Sequence, residues 1–202
     1  AADMDNDGDM DIVSASQDDD TIAWYENNNG DGSSWTAADI DIYAEGAHDV
    51  FVADMDDDGD MDIVSASWDD DTIAWYENDG ASDPSWSASN IYTDANGANR
   101  VFVADMDNDG DLDIVSVSVQ DSKIAWYENN GDGSSWTAAV ITTSESQVYG
   151  VFVADIDGDG DMDIVSASWD DDTIAWHENA GIPEFSNIMM PIVSVLAIVG
   201  FN

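Results

Sequence analysis

The sequence predicts an all-β fold made of four copies of one blade-like unit, and three observations carry that expectation. An acidic block, Asp3-Met4-Asp5-Asn6-Asp7-Gly8-Asp9-Met10-Asp11, recurs with small changes at Asp54, Asp105 and Asp155. Its starts lie 51, 51 and 50 residues apart, and a period of that length marks stacked supersecondary units. Within each unit the apolar residues alternate with period two, and helical periodicity is absent.

The elements follow in the same order in each unit. Val50-Phe51-Val52-Ala53 is an apolar run that enters the acidic loop. Asp62-Ile63-Val64-Ser65-Ala66-Ser67 leaves it with the alternation of a half-buried strand. A turn at Asp69-Asp70-Asp71 leads into Thr72-Ile73-Ala74-Trp75-Tyr76-Glu77-Asn78, a run rich in strand formers. A Gly/Asp/Ser loop follows, then Trp86 and a last stretch through Ile91-Tyr92. Four short strands in about 50 residues match one blade of a β-propeller. A calcium-binding solenoid is the competing all-β architecture, but its repeats are only about six to nine residues long.

Copies begin near residues 1, 50, 101 and 151, so the blades occupy 1–181 and an apolar tail occupies 182–202. The first copy lacks the entering Val-Phe-Val-Ala run, and the fourth lacks the closing Ser-Trp-Thr-Ala-Ala stretch. Both terminal blades are therefore expected to be incomplete, with open sheet edges that invite pairing. Trp24, Trp75, Trp126 and Trp176 recur at one position, and Trp35, Trp86 and Trp136 at another. Such recurrence reads as packing between blades. Trp68 and Trp169 stand beside acidic turns where a carbohydrate platform is conceivable, but Gln17 and Val119 fill the equivalent places.

Composition narrows the chemistry. There are 46 acidic residues against 2 basic ones, a net charge of −44, so a compact fold repels itself unless cations bind. Arg100 and Lys123 are the sole fixed cations, which excludes nucleic acid as a direct partner. Strong acidity alone suggests disorder, but 44% hydrophobic residues and nine Trp supply a core. Zero cysteines removes disulfides, thiolate catalysis and Cys-based metal sites.

In the acidic loops, carboxylates stand on alternate residues of a tight turn with Gly where the backbone bends. Hard oxygen ligands converging on one point suit Ca2+, and Mg2+ less well because it retains more water. Four Ca2+ ions bring +8, which leaves most of the −44 in place. Additional divalent sites, a salty medium or cation-bridged contacts between copies are the ways to offset the remainder. Millimolar Ca2+ outside cells is the natural setting for such loops, so a secreted or cell-surface protein is expected.

The block Val-Phe-Val-Ala-Asp-x-Asp-x-Asp-Gly-Asp-x-Asp-Ile-Val-Ser, followed by Ile-Ala-Trp-Tyr-Glu-Asn, resembles the FG-GAP/VCBS repeats of integrin-α-like β-propellers. The resemblance covers about residues 1–179 and implies one Ca2+ per loop in a propeller that serves adhesion or interaction. It further implies the ligands. The first site takes the side chains of Asp3, Asp5, Asp7 and Asp11 with the carbonyl of Asp9. The second takes Asp54, Asp56, Asp58 and Asp62 with Asp60, and the third Asp105, Asp107, Asp109 and Asp113 with Asp111. The fourth takes Asp155, Asp157, Asp159 and Asp163 with Asp161. An EF-hand needs Glu at the twelfth loop position, where Ser14, Ser65, Ser116 and Ser166 stand, so these are EF-hand-like loops between strands. Metal binding is expected to be structural and coupled to folding.

A second acidic cluster, Asp18-Asp19-Asp20 with Asp69-Asp70-Asp71 and Asp170-Asp171-Asp172, reads either as a solvated turn or as a cation-bridged contact between molecules. The third copy keeps Asp121 beside Lys123. An active site is usually a break in the repeat, and the breaks here are His48, Arg100, Lys123, His177 and Gln147-Val148-Tyr149. His177 replaces the Tyr at 25, 76 and 127, which reads as a packing substitution. No nucleophile–base pair, phosphate loop or zinc set emerges, so no enzymatic activity is expected.

The tail, Ile182-Pro183-Glu184-Phe185 followed by an apolar segment from Ile188 to Phe201, resembles the PEF-type C-terminal sorting signal of archaeal surface proteins, without its basic cluster. The segment is short for a bilayer span, and a membrane contact is expected through the tail alone if at all. It is read as a membrane or sorting remnant, as a helix packed against other copies, or as a strand, Ile192–Val199, added to an incomplete blade. Open blade edges, the tail and extreme acidity together favour a calcium-supported homo-oligomer, a surface filament or layer. The alternative is a surface-anchored adhesion module for a protein or glycan ligand.

Overall fold

The computed structural model describes residues 1–179 and the strand Ser194–Val195. It is built of four antiparallel sheets in chain order. The first holds β1 (Ile12–Ser16), β2 (Thr21–Asn27) and β3 (Trp35–Asp41). The second holds β4 (Ala47–Ala53), β5 (Asp62–Ser67), β6 (Thr72–Asn78) and β7 (Trp86–Tyr92). The third repeats it with β8 (Ala98–Ala104), β9 (Asp113–Ser118), β10 (Lys123–Asn129) and β11 (Trp136–Thr142). The fourth holds β12 (Val148–Ala154), β13 (Asp163–Ser168), β14 (Thr173–His177) and β15 (Ser194–Val195). Each sheet is a meander whose neighbours in sequence are neighbours in space. The unit read from the sequence is thus one sheet, and the fold is an all-β repeat of blades. Registers repeat as well: Ile63 faces Tyr76 as Ile114 faces Tyr127 and Ile164 faces His177.

Among the described residues the first sheet has three strands, β1 to β3, and lacks a counterpart of the entering strand. In the fourth, Val195 pairs with Trp176 and Ser194 with His177, so the closing position is taken from the tail. These two residues belong to the run Ile192–Val199 expected as an added strand. The Ile182–Phe185 motif and the rest of the tail lie outside the described residues. Among the described residues no helix is long and apolar enough to cross a membrane.

The core lies between sheets. Met4, Ile22, Trp24, Ala44 and Ala47 meet Ile63, Ala74 and Tyr76 at the first junction. Val64, Ala66, Ile73 and Trp75 meet Val101, Val103, Ile114 and Tyr127 at the second. Val115, Val117, Ile124 and Trp126 meet Val148, Val153 and Ile164 at the third. Alternate residues of one strand therefore serve two different cores. This corrects the expectation of half-buried strands: β5 and β9 are buried along their whole length, because each inner sheet is covered on both faces. The buried Ser116 hydroxyl bonds the Tyr127 hydroxyl at 3.1 Å.

Trp24, Trp75 and Trp126 are buried in these junctions, as their recurrence predicted. Trp136 reaches back to Trp75, with ring centroids 6.5 Å apart, and Trp86 packs on the first junction. Trp35, the corresponding residue of the first sheet, is exposed, with no sheet among the described residues packed on that side.

One side chain ties the sheets in series. The Asn that ends β6, Asn78, donates its Nδ2–H to the Met4 carbonyl of the preceding loop at 2.8 Å. Asn129 reaches Met55 at 2.7 Å and Asn179 reaches Met106 at 2.8 Å. Each also bonds its own loop, at the carbonyls of Met61, Leu112 and Met162. Asn129→Ala strands these buried carbonyls together with the amides of Gly131 and Gly133. It is expected to cost about 2 kcal/mol or more in denaturant unfolding, against near-zero for Asn28→Ala in an exposed loop.

Candidate metal centres

In the second to fourth units the acidic loop joins the first strand to the second, and in the first unit it leads directly into β1. Two backbone kinks shape it. The fourth position is left-handed, with φ of 60° at Asn6, 59° at Asp57 and 61° at Asn108. The sixth is glycine at φ between 96° and 103°, where a side chain would be strained. With the chain so bent, the loop's amides turn inward onto its own carboxylates. Asp3 accepts from the N–H of Asp7 at 3.1 Å and of Gly8 at 2.9 Å, and Asp54 does the same for Asp58 and Gly59.

The result is a knot of carboxylate oxygens in every loop. Asp3, Asp5 and Asp11 bring one oxygen each within 4.8 Å of one another, as do Asp54, Asp56 and Asp58. Asp105, Asp107 and Asp113 form the third set, and Asp155, Asp157 and Asp163 the fourth. The first and third loop positions thus converge in all four copies. The ninth joins them in three, and the fifth in the second copy, where Asp58 takes part. The carboxylates of Asp7, Asp109 and Asp159 accept the N–H of Asp9, Asp111 and Asp161, which fixes the far side of the turn.

The ninth position has a second task. Asp62 accepts the Met55 N–H at 3.0 Å on one oxygen and the Asn78 N–H at 2.8 Å on the other. Asp11, Asp113 and Asp163 repeat this bridge, from loop start to the end of the next strand but one. These aspartates are the best buried of the loop acids. Burial pushes Asp62 and Asp113 up to about 7, despite the amides that favour the charged form. Burial also raises the third-position acids Asp5, Asp56 and Asp157, and lifts Asp107 to about 6. Repulsion from the neighbouring loop carboxylates adds to it. Glu26, Glu77 and Glu128 add further repulsion on Asp5, Asp56 and Asp107. Sequence reasoning passed over these glutamates, although their recurrence before each Asn was a signal.

Three or more hard oxygens, held close without a positive side chain among them, fit a divalent cation and repel one another without it. The donor set accordingly suits the metal that the alternating aspartates predicted, and the residues above would hold it. Neighbouring loops also touch. The Asn6 amide bonds the Asp60 carboxylate, and Asn108 bonds Asp161 at 2.8 Å. Between the second and third loops Asp57 replaces the asparagine. A cleft of about 210 Å3 opens there against Asp111, and that carboxyl is pushed up by burial, by its own loop and by Asp57.

The second acidic cluster resolves into a structural turn. Asp20 and Asp71 adopt φ of 57° and accept the N–H of Gly46 and Gly97 from the connection to the next sheet, each at 2.8 Å. In the third copy Lys123 is paired with Asp121 at 2.7 Å and lies over the Tyr92 ring.

His177 is more than a replaced tyrosine. Its Nε2 lies 2.7 Å from Glu145, which stands where Ala44 and Ala95 are buried in the earlier connections. Ser166 and Ser168 donate to the same carboxylate. Burial opposes the Glu145 charge, but these hydrogen bonds and His177 outweigh it and hold the carboxyl below its ordinary value. Serine and carboxylate converge on one imidazole nitrogen, and all are buried. A catalytic relay instead needs one partner on each nitrogen and an open hydroxyl, so this is a buried, hydrogen-bonded carboxylate–imidazole contact. Its contribution is present above the ordinary Glu value of 4.5 and lost as pH falls through the lowered folded value. A Glu145→Gln chain is expected to melt below wild type at pH 7, with the gap closing toward pH 3.

Blades joined in series, each with an acidic oxygen cluster at one end, define a repeat-blade protein with one candidate metal loop per blade. Residues 3–65, 54–116 and 116–166 match the FG-GAP-like repeat, and the chain belongs to that family. No curated protein matches it.

The raised acids set a sign for pH. A carboxyl raised in the fold binds more protons there than in the unfolded chain, so chelated protein loses stability as pH climbs from about 4 to 7. Thermal melts in chelator should fall across that window, and saturating calcium should abolish most of the fall.

Proposed function

We propose that this chain is a secreted or cell-surface structural protein that binds calcium through its four acidic loops and assembles with copies of itself into a filament or layer. It performs no catalysis. Calcium fits the all-oxygen clusters, and its charge offsets the burial and mutual repulsion that raise their acids. At −44 the bare chain repels its own copies, so assembly needs the loop ions together with salt or further divalent cations to offset the remaining charge.

The observation that carries the assembly reading is where large apolar side chains meet solvent. Met10, Ile12 and Trp35 lie on the first sheet or the loop that feeds it, and Phe152, Ile156 and Ile174 on the fourth. An apolar surface left at each end of a stack of blades marks an interaction site. Copies of the chain carry both surfaces, which is why self-association is favoured over a foreign adhesion ligand.

Light scattering and negative-stain microscopy in millimolar calcium should give fibres, sheets or large particles that dissolve on chelation. A discrete particle that merely loses thermal stability in chelator would return an adhesion module to first place.

A further inference from the structure

We infer that copies join head to tail: the outward face of the fourth sheet of one copy seats on the outward face of the first sheet of the next. This would be a fourth instance of the junction already made three times within the chain, and it presupposes the assembly proposed above.

Repeat-equivalent residues make the case. Ile22, Ile73 and Ile124 are each 0% exposed beneath the sheet that follows, whereas Ile174 at the same position is 54% exposed. Met4, Met55 and Met106 are buried in the same way, and their counterpart Ile156 is 50% exposed. On the opposite side of each sheet, Ile63 and Ile114 are 0% exposed against the sheet that precedes, but Ile12 is 44% exposed. The fourth sheet thus presents the forward half of a junction and the first sheet the backward half. Each keeps the residue types that fill the inner cores. Apolar residues on the outer face of a true terminal blade have no core to fill, and terminal caps of repeat stacks are ordinarily polar.

Shape and hydrogen bonding follow the same rule. Gly133 roofs Trp75 of the preceding sheet so closely that a Cβ there would fall 2.4 Å from the ring. The matching Gly32 has only its own Trp35 nearby, which leaves room for Trp176 of another copy. Asn78, Asn129 and Asn179 each give one amide hydrogen to their own loop and one to a carbonyl of the preceding sheet's loop. Asn27 gives one to its own Met10 carbonyl at 3.3 Å, and the other has no partner among the described residues. The acceptor that continues the series is the Ile156 carbonyl of a second copy. At the loops, Gly158 stands where Asp57 sets a carboxylate against Asp111, so this junction adds no facing acid pair at that position. The contact is heterologous, with different surfaces on the two partners, and gives a ring if its rotation closes and a filament if it does not.

Polarity provides the test. Chains of residues 1–202 carrying Ile12→Asp or Ile174→Asp, each with one spoiled face, are compared with the unsubstituted chain by sedimentation velocity in millimolar calcium. Both positions are exposed within one copy, and circular dichroism checks that each variant folds. Wild type is expected to assemble, and each variant alone to sediment as a 21.7 kDa species. An equimolar mixture is expected to form a dimer of twice that mass and nothing larger, because one variant keeps the forward face and the other the backward face. If wild type assembles and the variants assemble equally well, or their mixture stays monomeric, the head-to-tail junction is wrong while the assembly reading stands. If wild type is itself monomeric, both fail. Assembly gained only on removing residues 182–202 would mean that the tail, not a second copy, covers the fourth sheet.

Discussion

One repeat of three or four short strands cannot bury its apolar faces alone, and only stacked neighbours build a continuous core. The fold answers by stacking, so that every inner sheet lies between two others. Ile63 and Val64 are adjacent in sequence, yet the first fills the junction before its sheet and the second the junction after it. Everything else in the molecule depends on this sharing. The tryptophans of β2, β6 and β10 are buried by the next sheet, and the asparagines Asn78, Asn129 and Asn179 reach back to the one before.

The acidic loops exploit the same frame. A turn of alternating aspartates repels itself, and it keeps its shape because the ninth-position carboxylate is bonded at both oxygens to backbone from two directions. Asp62 ties the loop's start to the end of β6, and burial raises its pKa as the consequence. Loop and sheet are therefore one mechanical unit. A cation held by Asp54, Asp56 and Asp58 would act on a turn already anchored in the core. Neighbouring loops also touch through Asn6 and Asn108, which lines the acidic clusters along one end of the stack.

Much of this was legible in the residues. The period of the acidic block, the two-residue alternation and the order of runs foretold the strands, their meander and the sheet that each copy forms. The family resemblance implied side-chain ligands at the first, third, fifth and ninth loop positions, of which the first and third converge in all four copies, the ninth in three and the fifth in one. Illegible were the features that depend on residues far apart. The buried Glu145–His177 pair links the connection after β11 to β14, and no local pattern announces it. Asp20 and Asp71 looked like solvent-facing acids, but they hold the connections to the next sheets. Trp35 shares the recurring position of Trp86 and Trp136 and still lies exposed, because burial at that position is conferred by a neighbour.

By itself the sequence determined the all-β class, the unit and its count, the acidic oxygen sites and the absence of thiol chemistry. Each follows from local spacing or composition, which need no partner to be read. Only the tertiary structure decided which face of each strand serves which core, which aspartates are buried and raised, and which apolar residues are left uncovered. Those properties belong to contacts between sheets, and identical repeats acquire different surroundings according to their place in the stack.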